Sequence, residues 1–126
     1  MWDNEWVSHV DNVILSFSIT EDETPEDENG QSRYVLMDQI NAWLRENAGQ
    51  RQEFGPELGY LHGSYGGAKC LETPLYIAAF NYLPESEFMD FLRSLPWREP
   101  DEVQVITKRQ HEDVFVVLTL SVTASA

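Results

Sequence analysis

Residues 73–96 have the sequence TPLYIAAFNYLPESEFMDFLRSLP, in which a strand pattern is followed directly by a helix pattern. In residues 73–82, apolar and aromatic side chains fall on both faces of an extended chain, which is typical of a strand inside a sheet. From Pro84 onward the apolar residues recur at i, i+3, i+4 and i+7, which indicates one face of a helix. They are Phe88, Phe91, Leu92 and Leu95. Because proline suits a helix start and interrupts a helix interior, Pro84 and Pro96 bound this helix.

Three further elements precede this unit. Residues 10–20 alternate between apolar and polar side chains, which predicts a half-buried strand. Residues 38–48 carry an apolar stripe at helical spacing, and Asp38 is expected to cap the first turn of that helix. The pattern of residues 34–37 allows either an extra helical turn or a short strand. Residues 58–65 predict a second strand, joined to the next one by a turn at the two glycines of 66–67.

The last third of the chain predicts a hairpin. Residues 103–108 and 114–122 alternate as strands around a polar turn at 110–113, and the length of the second arm suggests that it is buried. The element order is then β-α-β-β-α-β-β. We expect one α+β domain over residues 1–126, with a ferredoxin-like split β-α-β core (β-α-β-β-α-β) and an extra C-terminal strand. The antiparallel sheet would carry both helices on one face.

Charge is the strongest compositional signal. The chain has 8 Lys and Arg against 22 Asp and Glu, a formal net charge of −14. Nucleic acid and anionic membrane surfaces are therefore disfavoured as partners, whereas a basic protein is favoured. Residues 21–32 form an acidic loop in which Glu26, Asp27 and Glu28 are candidate contacts for such a partner. The simpler interpretation is that these charges keep the protein soluble.

Cysteine usage and the N-terminal residues predict a cytoplasmic protein. Cys70 is the only cysteine, so no intramolecular disulfide can form, as is common in reducing compartments. The acidic start lacks the basic and apolar regions of a secretory signal. No segment has the run of about 20 apolar residues that a membrane span requires.

The segment from Gly59 to Cys70 is the most unusual stretch, because it combines four glycines with several reactive or aromatic side chains. A binding pocket here would use Tyr60, His62, Tyr65, Lys69 and Cys70. The alternative is a twisted hairpin in which the glycines form bulges and a turn. A phosphate-binding loop would need Gly-Lys-Ser/Thr at the start of a helix, which is absent. We favour the hairpin, since glycine in strands usually has a backbone reason.

Catalytic and metal sites have weaker support. Cys70 with His62 as its base and a nearby carboxylate such as Glu72 would make a nucleophilic site, but no surrounding motif accompanies it. The three histidines do not cluster with cysteine as zinc ligands do. We therefore predict no catalytic residue, no metal and no cofactor.

Trp97 follows the second helix and is a candidate binding residue, since tryptophan combines a large contact area with a polar N–H group. The alternative is that it packs under that helix.

Taken together, the residues favour a non-enzymatic acidic binding protein of the bacterial cytoplasm, in its concrete form an immunity or inhibitor protein that covers a basic partner. One alternative is a small-molecule-binding or regulatory domain that forms a homodimer through its sheet. A second is a small enzyme centred on His62 and Cys70.

Overall fold

The computed structural model describes residues 10–25, 34–48, 56–61, 67–69 and 72–121. These residues form an α+β fold with one antiparallel sheet and two helices. The strands are β1 (Val10–Ser16), β2 (Gly59–Tyr60), β3 (Leu75–Asn81), β4 (Gln104–Arg109) and β5 (Val116–Thr119). The helices are α1 (Val35–Asn47) and α2 (Glu85–Arg93), and a single 3-10 turn, η1, spans Pro100–Glu102.

The five strands lie in the order β2-β3-β1-β4-β5, and every neighbouring pair is antiparallel. In the centre, Leu15 lies opposite Tyr76 on one side and Val105 on the other. All three are buried, as expected when one face of each strand packs on a core. The register therefore follows the period-2 apolar pattern of the sequence.

The core lies between this face of the sheet and the two helices. Val13 and Leu15 of β1 belong to the same buried cluster as Ile40 of α1 and Phe88 of α2. The helices also touch each other, because the Trp43 ring lies 5.7 Å from that of Phe88 and is tilted against it. Both helices thus cover one face of the sheet, and no described helix covers the other face.

The predicted elements are present in the described residues, with shifted boundaries. The helix predicted between Pro84 and Pro96 is α2, and the hairpin predicted over 103–122 is β4 and β5. The strands are shorter than predicted. Of residues 58–65 only Gly59–Tyr60 is assigned to a strand, since 62–66 lie outside the described residues.

Two predictions are wrong. Asp38 does not cap α1, because the helix begins earlier: Tyr34 occupies the N-cap position and Asp38 lies in the first turn. The second hairpin arm is not well buried either. Val114, which precedes β5, is 67% exposed, and Val117 is 53% exposed because it lies on the face of the sheet away from the core. In the described sheet β5 is an edge strand that pairs with β4 alone.

Neither described helix could cross a membrane, since each is too short and too polar. The acidic loop predicted at 21–32 is described as far as residue 25, and Glu26, Asp27 and Glu28 lie outside the described residues.

Candidate functional site

A cleft of about 520 Å³ opens at the end of the sheet where β1 finishes and β3 and β4 begin. Ser16 lies at this end, opposite Leu75 on β3 and Gln104 on β4. The cleft thus collects residues from three separate parts of the chain. Its lining consists of Ser16, Phe17, Ser18, Ile19, Glu72, Thr73, Pro74, Asp101, Glu102 and Gln104.

Glu21 joins two walls of this cleft. Its buried carboxylate accepts hydrogen bonds from the backbone amide of Glu99 at 2.9 Å and from that of Arg98. The chain then enters η1, where the backbone amide of Glu102 donates to the carbonyl of Glu99 at 3.0 Å. Because Glu21 itself follows the 16–19 wall, this single carboxylate holds η1 against that wall.

A short hydroxyl-stabilised turn shapes the 16–19 wall. The Ser18 hydroxyl accepts a hydrogen bond from the backbone amide of Thr20 at 3.1 Å, and the two hydroxyl groups lie 2.8 Å apart. Side chains of this type commonly stabilise turns by bonding to the backbone two residues on. The turn leaves Ile19 58% exposed at the edge of the cleft.

The cleft is negatively charged. Three of its lining residues carry exposed carboxylates, namely Glu72, Asp101 and Glu102, and none of the ten is Lys, Arg or His. The nearby Arg98 guanidinium is directed to Asp22, with Nε 3.1 Å from Oδ1. Ile19 adds exposed apolar surface to the same lining, so the cleft is suited to a group with a cationic head and an aliphatic stem.

The lining combines hydroxyl groups with carboxylates. Ser16 and Ser18 are the hydroxyl groups on the buried side, and carboxylates are the basic groups among the ten residues, which include no imidazole, thiol or amine. Among the described residues, no group of three or more His, Cys, Asp and Glu side chains is placed to hold a metal ion. The three exposed carboxylates suit recognition of positive charge.

Three of the residues predicted as binding residues are described. Tyr60 and Lys69 are exposed, whereas Trp97 is buried. The Trp97 indole Nε1 donates to the Leu92 carbonyl at 2.8 Å, and its ring lies 5.5 Å from that of Phe17. Trp97 thus packs beneath the end of α2 and supports the cleft from behind. The roles predicted for His62, Tyr65 and Cys70 stay predictions, since these residues lie outside the described ranges.

Tyr60 belongs to a cluster of tyrosines beside β2. Its ring lies 5.3 Å from that of Tyr76, which in turn stacks on Phe17 at 5.7 Å. Tyr34 meets Phe17 edge to face at 4.9 Å. Burial raises the pKa of Tyr76, and the neighbouring Tyr34 and Tyr60 raise it further. Burial also raises the pKa of Tyr34, with Glu23 adding to the effect.

Sequence reasoning did not single out Asp101 and Glu102, and it considered Glu72 only as a partner of Cys70. Each stands in an acidic or polar stretch like many others in a chain with 22 carboxylates. The available signal was a Pro-Asp-Glu triplet between a helix and a strand, which is typical of a turn. The triplet lies near residues 16–19 because their strands pair in the sheet, and no local sequence pattern indicates that proximity.

Comparison with known proteins finds no family model, no curated protein and no solved structure that matches this chain.

Proposed function

We propose that the protein is a non-enzymatic binding protein of the bacterial cytoplasm that engages a basic protein partner through the acidic cleft. The observation that carries this proposal is the cleft lining, in which three exposed carboxylates occur without any cationic side chain. A lysine or arginine of the partner would place its charged head near Glu72, Asp101 and Glu102. Its aliphatic stem would lie on Ile19, as such side chains do at interfaces between apolar and polar surface.

The overall charge supports the same partner chemistry. A net charge of −14 attracts a basic protein over long distances and raises the association rate, an effect that salt weakens. In the concrete form of this proposal the protein neutralises a cationic enzyme, such as a nuclease, by presenting carboxylates where that enzyme attracts phosphates. The acidic loop with Glu26, Asp27 and Glu28 would add to this attraction.

We also propose that the first six elements have the ferredoxin-like arrangement, with β5 as an addition. The strand order β2-β3-β1-β4 supports it. In that order β3 separates β1 from β2, and β1 separates β3 from β4, as the two split β-α-β units of this arrangement require.

The test compares three triple variants in a pull-down from source-cell lysate at low salt, read by mass spectrometry. The cleft variant is Glu72→Gln/Asp101→Asn/Glu102→Gln, and we expect it to retain about tenfold less of a basic partner than the unmodified protein does. The matched control is Glu46→Gln/Glu87→Gln/Asp113→Asn, which removes the same charge from exposed positions away from the cleft. We expect this control to retain the partner.

The third variant, Glu26→Ser/Asp27→Ser/Glu28→Ser, measures the contribution of the acidic loop. Equal losses in all three variants would show that only total charge matters, and would contradict a role for the cleft. The proposal would be contradicted if the cleft variant retained as much of the basic partner as the unmodified protein does. It would also be contradicted if the unmodified protein retained no basic protein.

A further inference from the structure

The face of the sheet opposite the helices, here termed the open face, has an unusual composition. It carries the side chains that alternate with the buried ones: Val10, Asn12, Ile14, Ser16, Leu75, Ile77, Ala79, Asn81, Gln104, Ile106, Lys108, Val117 and Thr119. None of these strand residues is acidic, although the chain has 22 carboxylates, and Lys108 is the one charged member of the set. The solvent face of an antiparallel sheet normally carries polar residues in alternation with the core.

An aliphatic row crosses the centre of the open face. The register places Ile77, Ile14 and Ile106 side by side on β3, β1 and β4, and Val117 follows on β5. Ile77 is 39% exposed and Val117 is 53% exposed. A continuous apolar patch of this kind on a soluble domain indicates a surface that another molecule covers.

The charges near the open face indicate which molecule covers it. A basic partner gains nothing from a surface that has no carboxylate and one lysine. Two copies of this chain, in contrast, each carry a charge of −14 and therefore repel each other when their acidic surfaces meet. Two open faces bring no strand carboxylates together.

The ends of the open face are complementary to each other. Lys108 lies at the end of β4 near the hairpin turn, with its amino group 5.9 Å from the centre of the Phe115 ring. Gln104 lies at the opposite end of β4 and lines the acidic cleft with Glu72, Asp101 and Glu102. One end of the face thus carries a lysine, and the other is bordered by carboxylates.

We infer that two copies pack open face on open face about a two-fold axis that runs along the aliphatic row. Rotation about that axis reverses the strand direction of the second copy and lays Ile77, Ile14, Ile106 and Val117 on the same row of its partner. It also brings Lys108 of each copy over the acidic end of the other. Because a two-fold interface repeats every contact, this charge pairing forms twice. Two faces stacked in this way form a layered sandwich of sheets.

This inference uses a surface next to the cleft of the proposed function but does not depend on it. Since Lys108 of one copy approaches the carboxylates of the other, dimer formation and binding of a basic partner compete. Salt separates the two interactions, because it screens repulsion between two chains of charge −14 and so strengthens the dimer, while it weakens attraction to a basic protein.

The experiment measures the molar mass of the full chain by sedimentation equilibrium and light scattering, at concentrations up to about 100 μM in low and moderate salt. We expect twice the chain mass of 14.5 kDa, with a lower dimer dissociation constant in moderate salt. Ile77→Asp should give a monomer. Val35→Asp, at a position with the same 39% exposure on α1, should remain a dimer.

A second pair of variants tests the charge pairing and decides the question if Ile77→Asp fails to fold. Lys108→Glu should raise the dimer dissociation constant about tenfold, because two attractive pairs become repulsive. Lys69→Glu makes the same change in net charge at an exposed loop position, so it should raise the constant much less, through the added repulsion between the two chains alone. A monomer under all conditions, or a dimer that Lys108→Glu does not weaken more than Lys69→Glu does, overturns the inference.

Discussion

The carboxylate of Glu21 and the backbone amide of Arg98 form a buried connection between two distant parts of the chain, with N–O distances of 3.0 and 3.1 Å. The adjacent amide of Glu99 donates to the same carboxylate. One acidic side chain therefore satisfies two backbone N–H groups and fixes the segment that leads into η1. This connection lies directly before Asp101 and Glu102, which η1 carries into the cleft.

We predict that Glu21→Ala lowers the free energy of unfolding by about 2–3 kcal/mol, because two backbone donors lose a charged acceptor. Glu21→Gln keeps one acceptor oxygen and should cost less. Urea denaturation measures both. Glu46→Gln, an exposed change on α1, is the control and should stay within about 0.5 kcal/mol of the unmodified protein. A Glu21→Ala chain as stable as this control would contradict the proposed role of Glu21.

Trp97→Phe should lower the free energy of unfolding by about 0.5–1.5 kcal/mol, because the carbonyl of Leu92 keeps the backbone amide of Leu95 as a donor but loses the indole N–H. Denaturant unfolding followed by circular dichroism measures the loss. The same variant distinguishes a role of Trp97 in packing from a role in binding a partner. If stability is unchanged while retention of a basic partner falls, Trp97 contacts that partner directly and its packing role is secondary.

Asp11 holds the chain between β3 and α2. Its Oδ2 accepts a hydrogen bond from the backbone amide of Leu83 at 2.9 Å, immediately after Tyr82, whose φ of 65° lies in the left-handed region. Asp11→Ala should cost about 1–3 kcal/mol of unfolding free energy. Amide hydrogen exchange should show faster exchange at Leu83 in this variant than at the amides of β4. Retained protection at Leu83 would mean that the turn does not need Asp11.

Periodic segments of this chain could be predicted from sequence, and contacts between distant segments could not. The boundaries of α2 were predicted closely, because its apolar spacing and its two prolines act within one element. The start of α1 was predicted too late, at Asp38, because the pattern of residues 35–37 also fits a strand. These residues are helical because Leu36 and Met37 are buried in the core, a tertiary contact that the local pattern does not contain.

The exposure of β5 shows a different limit. Its alternating valines and leucines match a buried strand, but burial depends on whether a neighbour lies on both sides, and local sequence does not encode that position in the sheet. The acidic cleft has the same origin. Ser18, Glu72 and Glu102 come together only through the pairing of β1 with β3 and β4, so no local motif could reveal the site.

Tyr76 should make the protein sensitive to alkaline pH. Burial raises its pKa above the ordinary value of 10.0, so the folded chain keeps the phenol proton where the unfolded chain releases it. Above about pH 10 the unfolded state therefore binds fewer protons, and the free energy of unfolding falls as pH rises, by up to about 1.4 kcal/mol per pH unit for one proton. Below that pH the contribution is fully present.

Tyr76→Phe removes the hydroxyl and keeps the ring, so it should flatten this alkaline decline while the packing on Phe17 is retained. Urea denaturation at a series of pH values from about 8 to 11.5 measures the slope for each protein. Tyr82→Phe, which alters an exposed tyrosine, is the control and should decline as the unmodified protein does. If stability declined with pH equally in Tyr76→Phe and in the unmodified protein, the phenol of Tyr76 would not be the cause of the decline. Tyr34, whose pKa is raised by burial and by Glu23, would then be the next residue to test.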